Sequence, residues 1–355
     1  MQRRLIVSLL WISFLLQSCL SVPPTPTPVT ARQSLTLYAW TDYIPPTVLS
    51  AFTAEYGIDV NYLSYASMEE AVAEVRAGGV YDVVIMENNN IGPLAARGLL
   101  TAINYQNIPN FRNVAPDFRD LAFDPNNRYS IPFDYGTTGL LVRSDLVSFP
   151  VTSWADLWDP RLSGKIAVRP LAYELIGMSL KSLGYMLNSE NPSELEMALQ
   201  HLLELRPSLT FVDDTTTEAT EVVLKGEAVI MVGWGSDALM AREHNMAVDY
   251  ILPTEGTILW GESFVIPATS PQQETAERFL NFLLRPEMSA QITNENHYAT
   301  ANQMAYPLVR PDLFNNPVVF PPAEMVKKSD WYRPLSPAGE KLYAEIWERF
   351  DLKEP

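Results

Sequence analysis

LYAWTDYIPP, residues 37–46, ends an apolar run and opens a helix at a Pro-Pro pair. The run predicts a strand over 34–40, and apolar side chains at helical spacing after the prolines predict a helix over 45–56. The turn between the two elements carries two aromatics, a hydroxyl and a carboxylate: Trp40, Thr41, Asp42 and Tyr43. This turn is the first candidate for ligand binding.

The alternation of strand and helix continues through a third strand. A strand is predicted over 58–65, a second helix follows it, and the apolar run YDVVIM predicts a buried strand over 81–86. This β-α-β-α-β order requires a parallel sheet with right-handed crossovers, and such sheets bind ligands beyond the carboxyl ends of their strands. We therefore expect Trp40 to lie beside the residues that follow the third strand, among them Glu87 and Asn89.

A second series of strands and helices follows after residue 160. Apolar runs predict strands at 163–170, 227–234 and 256–267, and amphipathic patterns predict helices over 173–183, 192–205 and 272–284. With 355 residues and 47% hydrophobic content, the chain is long enough to bury two cores of ordinary size. Two α/β lobes of similar size are the simplest interpretation.

The charge balance excludes one class of partner. The chain carries 25 basic and 42 acidic residues, which gives a formal net charge of -17. Nucleic-acid binding needs a basic face to neutralise phosphates, so we expect no nucleic-acid partner. Cations are the natural partners of an acidic chain, although acidity also serves solubility alone.

The N-terminal region predicts export. Two arginines precede an apolar run over 5–16 that is too short to cross a bilayer, which is typical of a signal peptide and predicts one over 1–18. The segment LQSC resembles a bacterial lipobox, which implies lipidation of Cys19, the only cysteine of the chain. The Pro/Thr-rich stretch over 19–33 is then a semi-extended tether. We expect a protein of the periplasm or the extracytoplasmic membrane face, held at the membrane only by a lipid anchor.

Catalytic chemistry is not supported by the sequence. The histidines are His201, His244 and His297, without the spacing of a zinc protease or of a Cys-His pair. We therefore expect a binding protein with no catalytic residue, no cofactor and no resident metal. Two other ligands stay open: ferric iron held near His297 and Tyr298, and a sugar held by aromatic side chains.

Five motifs along the chain resemble the spermidine/putrescine-binding proteins that deliver polyamines to bacterial ABC importers. They are YAWTDYIPP (38–46), FDPNNRYSIPF (123–133), TSWADLWDP (152–160), WGESFVIPA (260–268) and NFLLRPE (281–287). The resemblance implies the type II periplasmic-binding-protein fold, two α/β lobes joined by a hinge with the ligand cleft between them. The implied lobes are 34–138 plus 260–308, and 139–259 plus 309–355.

The resemblance also implies a set of ligand-binding residues. In the family, aromatic walls enclose the alkyl chain of the ligand, and the matching residues here are Trp40, Tyr43, Trp234, Trp260 and Tyr298. Polar and acidic side chains bind the amines, and the matching residues are Thr41, Asp42, Glu174 and Glu262. Glu262 stands where an aspartate is usual, so its charge is kept on a longer arm.

Five positions depart from the family pattern. Glu87 and Asn89 stand where the family often has a Ser-x-Tyr, and Tyr332 replaces a glutamine. We include these three among the predicted ligand-binding residues. Leu171 replaces a second terminal carboxylate, and Asp134 is an additional acid where an apolar residue is usual. The rearranged charges leave open which amine is bound.

Polyamine capture can also be argued from the chemistry of the ligand. A linear polycation with methylene spacers needs carboxylates for its ammonium groups and aromatic faces along its stem. Together with the resemblance, this chemistry implies a monomeric substrate-binding protein whose partners are a small cationic polyamine and the permease subunits of an ABC importer. Another cationic amine or a guanidino compound stays open as the ligand.

Overall fold

The computed structural model describes residues 33–212 and 216–351, and these residues form one compact unit. The predicted signal peptide, Cys19 and the predicted tether up to Arg32 lie outside the described residues. Gln33, the last residue of the predicted tether, packs onto the folded unit: its side chain donates to Thr275 Oγ1 at 2.8 Å. Its carbonyl oxygen accepts a hydrogen bond from the backbone of Asp59 at 2.9 Å.

The described strands form one sheet whose main path runs β2-β1-β3-β9-β4-β7-β5-β6. Their bounds are β1 Ser34–Trp40, β2 Asp59–Tyr65, β3 Val83–Glu87, β4 Ser130–Arg143, β5 Ile166–Val168, β6 Leu209–Phe211, β7 Ile230–Trp234, β8 Val248–Ile251, β9 Ile258–Val265, β10 Ala299–Thr300 and β11 Asp330–Trp331. The short strands β8 and β10 pair with β4, and β11 pairs with β9.

The α-helices cover both faces of this sheet. Their bounds are α1 Pro46–Tyr56, α2 Met68–Ala77, α3 Asn88–Ala96, α4 Ala172–Ser182, α5 Pro192–Leu205, α6 Thr216–Lys225, α7 Gly235–His244, α8 Gln273–Leu283, α9 Pro286–Asn296, α10 Pro311–Phe314, α11 Ala323–Lys328 and α12 Pro337–Asp351. The helices predicted from periodicity over 45–56, 173–183, 192–205 and 272–284 are all present, with bounds shifted by at most one residue at either end.

The first half of the sheet confirms the predicted β-α-β-α-β unit. β1 pairs with β2 and β3, and both pairings are parallel. Successive residues of β1 enter different cores: Leu37 packs with Phe52 of α1 on one face, and Tyr38 packs with Val72 of α2 on the other. The carboxyl ends of β1 and β3 therefore lie at one edge, where Trp40 and Glu87 end their strands.

The two halves are connected through β4 and β9, which pair antiparallel at the centre of the sheet. β9 pairs with β3 of the first half, and β4 pairs with β7 of the second half. In the second half, Leu140 and Leu141 of β4 again enter separate cores on opposite faces. The result is the two-lobed α/β fold that the resemblance implies, with the two crossing strands between the lobes.

The strand predicted over 163–170 is shorter than expected. Gly164 adopts a left-handed φ of +69°, and the backbone N–H of Lys165 donates to the carbonyl of Leu162 at 2.9 Å. This turn uses the first residues of the predicted strand, because a chain that folds back on itself cannot continue the ladder of the sheet. Pairing is limited to β5, Ile166–Val168.

Candidate functional site

The turn after β1 places its aromatic and its acidic side chains differently. Trp40 ends the strand half-buried and Tyr43 is buried, whereas Thr41 and Asp42 are exposed. Asp42 has a left-handed φ of +55°, a conformation that Asp tolerates better than most residues. The hydroxyl of Tyr62 donates to the carbonyl of Trp40 and accepts from the backbone N–H of Tyr43 at 3.1 Å. Tyr62 therefore holds the turn in place.

Three acidic residues are register partners on adjacent strands at this edge of the sheet. Glu262 of β9 is the register partner of Glu87 on β3 and also of Asp134 on β4. Directly opposite residues of neighbouring strands present their side chains to the same face. Glu262 is only 4% exposed and Asp134 only 5%, while Glu87 is half-buried. We call Asp134 and Glu262 the acid pair.

The acid pair has few hydrogen-bond donors of its own. The indole Nε1 of Trp40 donates to Oε1 of Glu262 at 2.5 Å. Among the described residues, none donates a hydrogen bond of ordinary geometry to Oε2 of Glu262 or to either carboxylate oxygen of Asp134. Buried carboxylate oxygens without donors are costly, because the water they lost has not been replaced. The acid pair is therefore suited to a group that brings donors and positive charge.

Burial dominates the ionisation of the acid pair. It raises the pKa of Glu262 to about 7, against the opposing effect of the nearby Tyr43 hydroxyl and of the Trp40 N–H. It also raises the pKa of Asp134 well above its usual range, and the charge of Glu262 adds to the effect. The Tyr43 hydroxyl lies near enough to Asp134 to lower that pKa in part. A cation beside the pair would reverse these shifts, because it favours the ionised form.

Glu174 forms a second buried acidic site, with donors already in place. It lies in the first turn of α4 and is 6% exposed. Its Oε1 accepts from Oγ1 of Thr138 at 2.7 Å and from Nε1 of Trp234 at 2.8 Å. Burial raises the pKa of Glu174, and these two hydrogen bonds act in the opposite direction.

Trp234 is held in position by a buried ion pair. The guanidinium of Arg169 lies 4.1 Å from the centre of the Trp234 ring and donates twice to Asp237, at 2.8 Å each. Asp237 in turn accepts from the backbone N–H of Trp234 at 2.8 Å. The indole that bonds to Glu174 is therefore fixed from two sides.

Aromatic rings surround the acid pair. The Trp260 and Tyr298 rings are 5.6 Å apart in an edge-to-face arrangement, and Tyr43 lies 5.4 Å from Tyr298. Trp260 is the register partner of Gly136, where a Cβ atom would lie 2.2 Å from the indole carbon Cζ2. Glycine at this position of β4 is what gives the Trp260 ring its space.

Tyr332 lies near Glu174 and Glu87. Its ring packs edge-to-face on Tyr173 at 4.5 Å, and the nearby charges of Glu174 and Glu87 help burial to raise its pKa. Its hydroxyl is buried without a hydrogen-bond partner among the described residues. Like the oxygens of the acid pair and the indole N–H of Trp260, it is a buried polar group that a ligand would satisfy.

The structure gathers most of the predicted site residues and leaves some apart. Trp40, Tyr43, Trp260, Glu262 and Tyr298 form one cluster, and Glu174 with Trp234 forms a second, with Tyr332 near it. Glu87 and Asn89 line an open cavity of about 510 Å³ beside α2. Thr41 and Asp42 are exposed in the turn after β1. Leu171 is the residue that precedes the first turn of α4.

Asp134 lies in the site, although it is not among the predicted ligand-binding residues. The sequence shows it as an additional acid within IPFDYGTTG, but only the register of β4 against β9 brings it opposite Glu262. Thr138, Arg169 and Asp237 were also missed. Their roles depend on contacts between separate elements, and nothing in their local sequence indicates those contacts.

Two further properties concern metals and membranes. Within residues 33–212 and 216–351, no three His, Cys, Asp or Glu side chains come together as ligands of a metal ion. In the same part of the chain, no helix combines the length and the apolar character needed to cross a bilayer.

Comparison with known proteins places the chain in a family. Residues 47–321 match the family model described as bacterial extracellular solute-binding protein. The chain is 34% identical to a spermidine/putrescine-binding periplasmic protein of Escherichia coli strain K12 over 321 residues, 90% of this chain and 91% of that protein. It is 30% identical over 339 residues to a putrescine/agmatine-binding protein of Pseudomonas aeruginosa, which covers 90% of this chain and 92% of the relative.

A solved structure agrees with these relatives. The fold matches the substrate-binding protein of a spermidine/putrescine ABC transporter from Streptococcus pneumoniae, solved in complex with calcium and HEPES. The TM-score is 0.83 at 31% identity, over 90% of this chain and 99% of that chain. These relatives are solute-binding transport proteins, which points away from catalysis. The chain belongs to the bacterial extracellular solute-binding proteins and, within them, to the family of the spermidine/putrescine-binding periplasmic proteins.

Proposed function

We propose that the protein is the extracytoplasmic substrate-binding subunit of an ABC importer and that it captures a polyamine of the spermidine or putrescine class. The observation that carries this proposal is the buried acid pair enclosed by aromatic rings at the crossing of β4 and β9. Two buried carboxylates with three oxygens that lack a donor favour a cation that supplies both charge and N–H groups. A neutral sugar would leave the carboxylate charges uncompensated.

In this proposal the ligand lies in a cleft between the lobes. The acid pair, Asp134 and Glu262, together with Glu174, Glu87 or Asp42, pairs with its ammonium groups. The aromatic walls enclose its methylenes, and each ring contributes roughly 0.5–2 kcal/mol through cation–π contact. These walls are Trp40, Tyr43, Trp234, Trp260 and Tyr298. Thr41, Asn89 and Tyr332 add polar contacts.

The strand register predicts that the proposed cleft runs along β4 and β9. Asp134, Gly136 and Thr138 lie on one face of β4, opposite Glu262, Trp260 and Ile258. Four residues of a strand span about 13 Å, so the acid pair and the Thr138 contact to Glu174 lie at separate ends of the Trp260 wall. A linear cation with charges at both ends fits this arrangement better than a compact one.

Transport then follows from closure of the two lobes, proposed as 34–138 plus 260–308 and 139–259 plus 309–355. Binding groups come from both, so the ligand stabilises the closed form by its differential affinity. The permease would recognise that closed form. A monomer exported by the signal peptide over 1–18 and anchored through lipidated Cys19 would deliver the ligand at the extracytoplasmic membrane face.

Named relatives support an amine ligand. The Escherichia coli relative is named for spermidine and putrescine, and the Pseudomonas aeruginosa relative for putrescine and agmatine. This chain differs from the family pattern at Glu87, Asn89 and Asp134, so the ligand has to be determined directly.

The test is isothermal titration calorimetry of the purified protein against spermidine, putrescine, agmatine and betaine. We expect tight, stoichiometric binding of at least one linear polyamine or guanidino amine, and none of betaine. Titrations with a neutral oligosaccharide and with ferric iron are the controls. Failure of every amine, or tight binding of sugar or iron in their place, would contradict the proposal.

A further inference from the structure

The acid pair has a donor requirement that can be counted. Asp134 and Glu262 are register partners, so their Cβ atoms lie about 5 Å apart on one face of the sheet. Of their four carboxylate oxygens, one accepts the indole N–H of Trp40. The other three are buried and have no donor of ordinary geometry among the described residues. The Tyr43 hydroxyl lies near both carboxylates but makes no hydrogen bond of ordinary geometry to either. One small group bound between the two side chains therefore faces three acceptors.

Cationic nitrogen groups differ in how many N–H donors they offer. A primary ammonium has three and a guanidinium has five, as the side chains of lysine and arginine illustrate. A secondary ammonium has two, a tertiary ammonium has one, and a quaternary ammonium has none. Each buried acceptor left without a donor keeps its desolvation cost, so the groups with fewer than three donors are penalised.

Trp40 limits how the acid pair can adapt to a poorer donor. Its indole occupies Oε1 of Glu262 at 2.5 Å, which leaves Oε2 as the free acceptor of that carboxylate. Asp134 lies on a fully buried strand and its side chain is short, so its two oxygens cannot turn toward solvent. The three acceptors are therefore fixed features of the site.

We propose that Asp134 and Glu262 together form a seat for one terminal nitrogen group with at least three N–H donors, a primary ammonium or a guanidinium, and that Asp134 makes the protein select against secondary, tertiary and quaternary amines at this position. The inference rests on the proposed function, since it names the kind of amine that the same site takes. Asp134 is then a specificity-determining residue.

The first experiment uses the unaltered protein and a series of methylated ligands. Calorimetry compares putrescine with N,N,N′,N′-tetramethylputrescine, which keeps both positive charges and the same spacer but has one N–H at each end. We expect the tetramethyl compound to bind at least a hundredfold more weakly than putrescine. Agmatine, which offers a primary ammonium and a guanidinium, binds in the same range as putrescine. A difference of less than threefold between putrescine and the tetramethyl compound would overturn the proposal without any variant.

The second experiment assigns the selectivity to Asp134. Asp134→Asn keeps the size of the side chain, removes one buried charge and supplies an amide donor to Glu262. We expect the ratio of the affinity for putrescine to the affinity for the tetramethyl compound to fall at least tenfold in this variant. The ligand-free variant should be at least as thermally stable as the unaltered protein. Asp249→Asn, the same change on β8 at the far end of β4, is the matched control and keeps the ratio. An unchanged ratio in Asp134→Asn would overturn the proposal.

The seat and the proposed function can be contradicted separately. If the unaltered protein binds putrescine or agmatine but does not discriminate against methylation, the seat is wrong and the proposed function stands. If it binds neither of these nor spermidine, the proposed function and the seat both fall.

Discussion

The acid pair and Glu174 are both buried acidic sites beside a tryptophan, yet they differ in how their oxygens are satisfied. Oε1 of Glu174 receives two hydrogen bonds, from Thr138 and Trp234. The acid pair receives one such bond, from Trp40 to Glu262, and Asp134 receives none of ordinary geometry. Glu174 is thus largely satisfied before any ligand binds, whereas the acid pair is not.

This difference indicates which carboxylates can contribute most to the free energy of ligand binding. A carboxylate that already has its donors gains less from a cation than one that is desolvated and unpaired. Repulsion within the acid pair adds to the gain, because a bound cation removes it. We therefore expect the acid pair to dominate affinity and Glu174 to contribute less.

The largest effect is expected for Glu262→Gln. The change removes the charge that both Asp134 and Trp40 face, so affinity for the preferred amine should fall about a hundredfold, or about 2.7 kcal/mol. Calorimetry measures it, with thermal unfolding to check the fold. Glu274→Gln on the exposed face of α8 removes the same charge elsewhere and should leave affinity unchanged. Equal losses in both variants would mean that only net charge matters.

The next effect tests the wall between the two acidic sites. Trp260→Ala should weaken binding by about tenfold or more, or about 1.4 kcal/mol, since it removes an aromatic face. Gly136→Ala should weaken binding by a similar amount although no ligand contact is removed, because the added Cβ would lie 2.2 Å from the Trp260 ring. Calorimetry compares the two variants with the unaltered protein. Full affinity in Gly136→Ala would show that the orientation of the Trp260 ring is not needed.

A third prediction concerns pH and the stability of the ligand-free protein. Burial raises the pKa of Glu262 from 4.5 to about 7, so between these values the folded state binds more protons than the unfolded state. Stability should therefore fall as pH rises through this window, by on the order of 1 kcal/mol. Affinity for a cation should rise over the same window, because binding needs the ionised carboxylates.

The other titratable groups around the acid pair do not obscure this behaviour. Tyr43, Tyr62, Tyr65 and Tyr298 face it, and burial raises the pKa of each, so they stay neutral. Glu87 faces Glu262 from β3 and adds negative charge. Thermal unfolding from pH 5 to pH 8, with Asp134→Asn as the comparison, measures the effect. A melting temperature that rises across the window in the unaltered protein would contradict the prediction.

The smallest effect is expected for Glu174→Gln. Glutamine keeps an oxygen that can accept from Thr138 and Trp234, so only the charge is lost, and affinity should fall about threefold, or less than 1 kcal/mol. Calorimetry under the same conditions as for Glu262→Gln gives the comparison. If Glu174→Gln lowers affinity more than Glu262→Gln does, then Glu174 and not the acid pair dominates binding.

Much of the first lobe could be predicted from residues close in sequence. Apolar runs and helical periodicity predicted β1, α1, β2 and β3 with bounds close to those observed. The parallel sheet followed from their order, and with it the position of Trp40 and Glu87 at one edge. These features depend on local patterns and on the handedness of crossovers, both of which the sequence carries.

β4 could not be predicted in the same way. Its residues, SIPFDYGTTGLLVR, are all buried, so they show no alternation of apolar and polar side chains. The strand crosses between the lobes and is covered on both faces. A polar residue within an apolar run argues against a buried strand, so Asp134 gave no indication that it lies on β4 opposite Glu262.

The sequence by itself determined the strand and helix order of the first lobe, the acidic charge and the placement of aromatic and acidic residues at strand ends. It did so because these depend on neighbouring residues and on composition. Only the tertiary structure places Asp134 opposite Glu262 and the Trp40 indole within hydrogen-bond distance of Glu262. It also brings Thr138 and Trp234 together as hydrogen-bond donors to Glu174. Those contacts join residues far apart in the chain, and several of them depend on the register of β4 against β9. Register is set by alternation of apolar and polar residues and by hairpin turns, and β4 shows no alternation and is not joined to β9 by a hairpin.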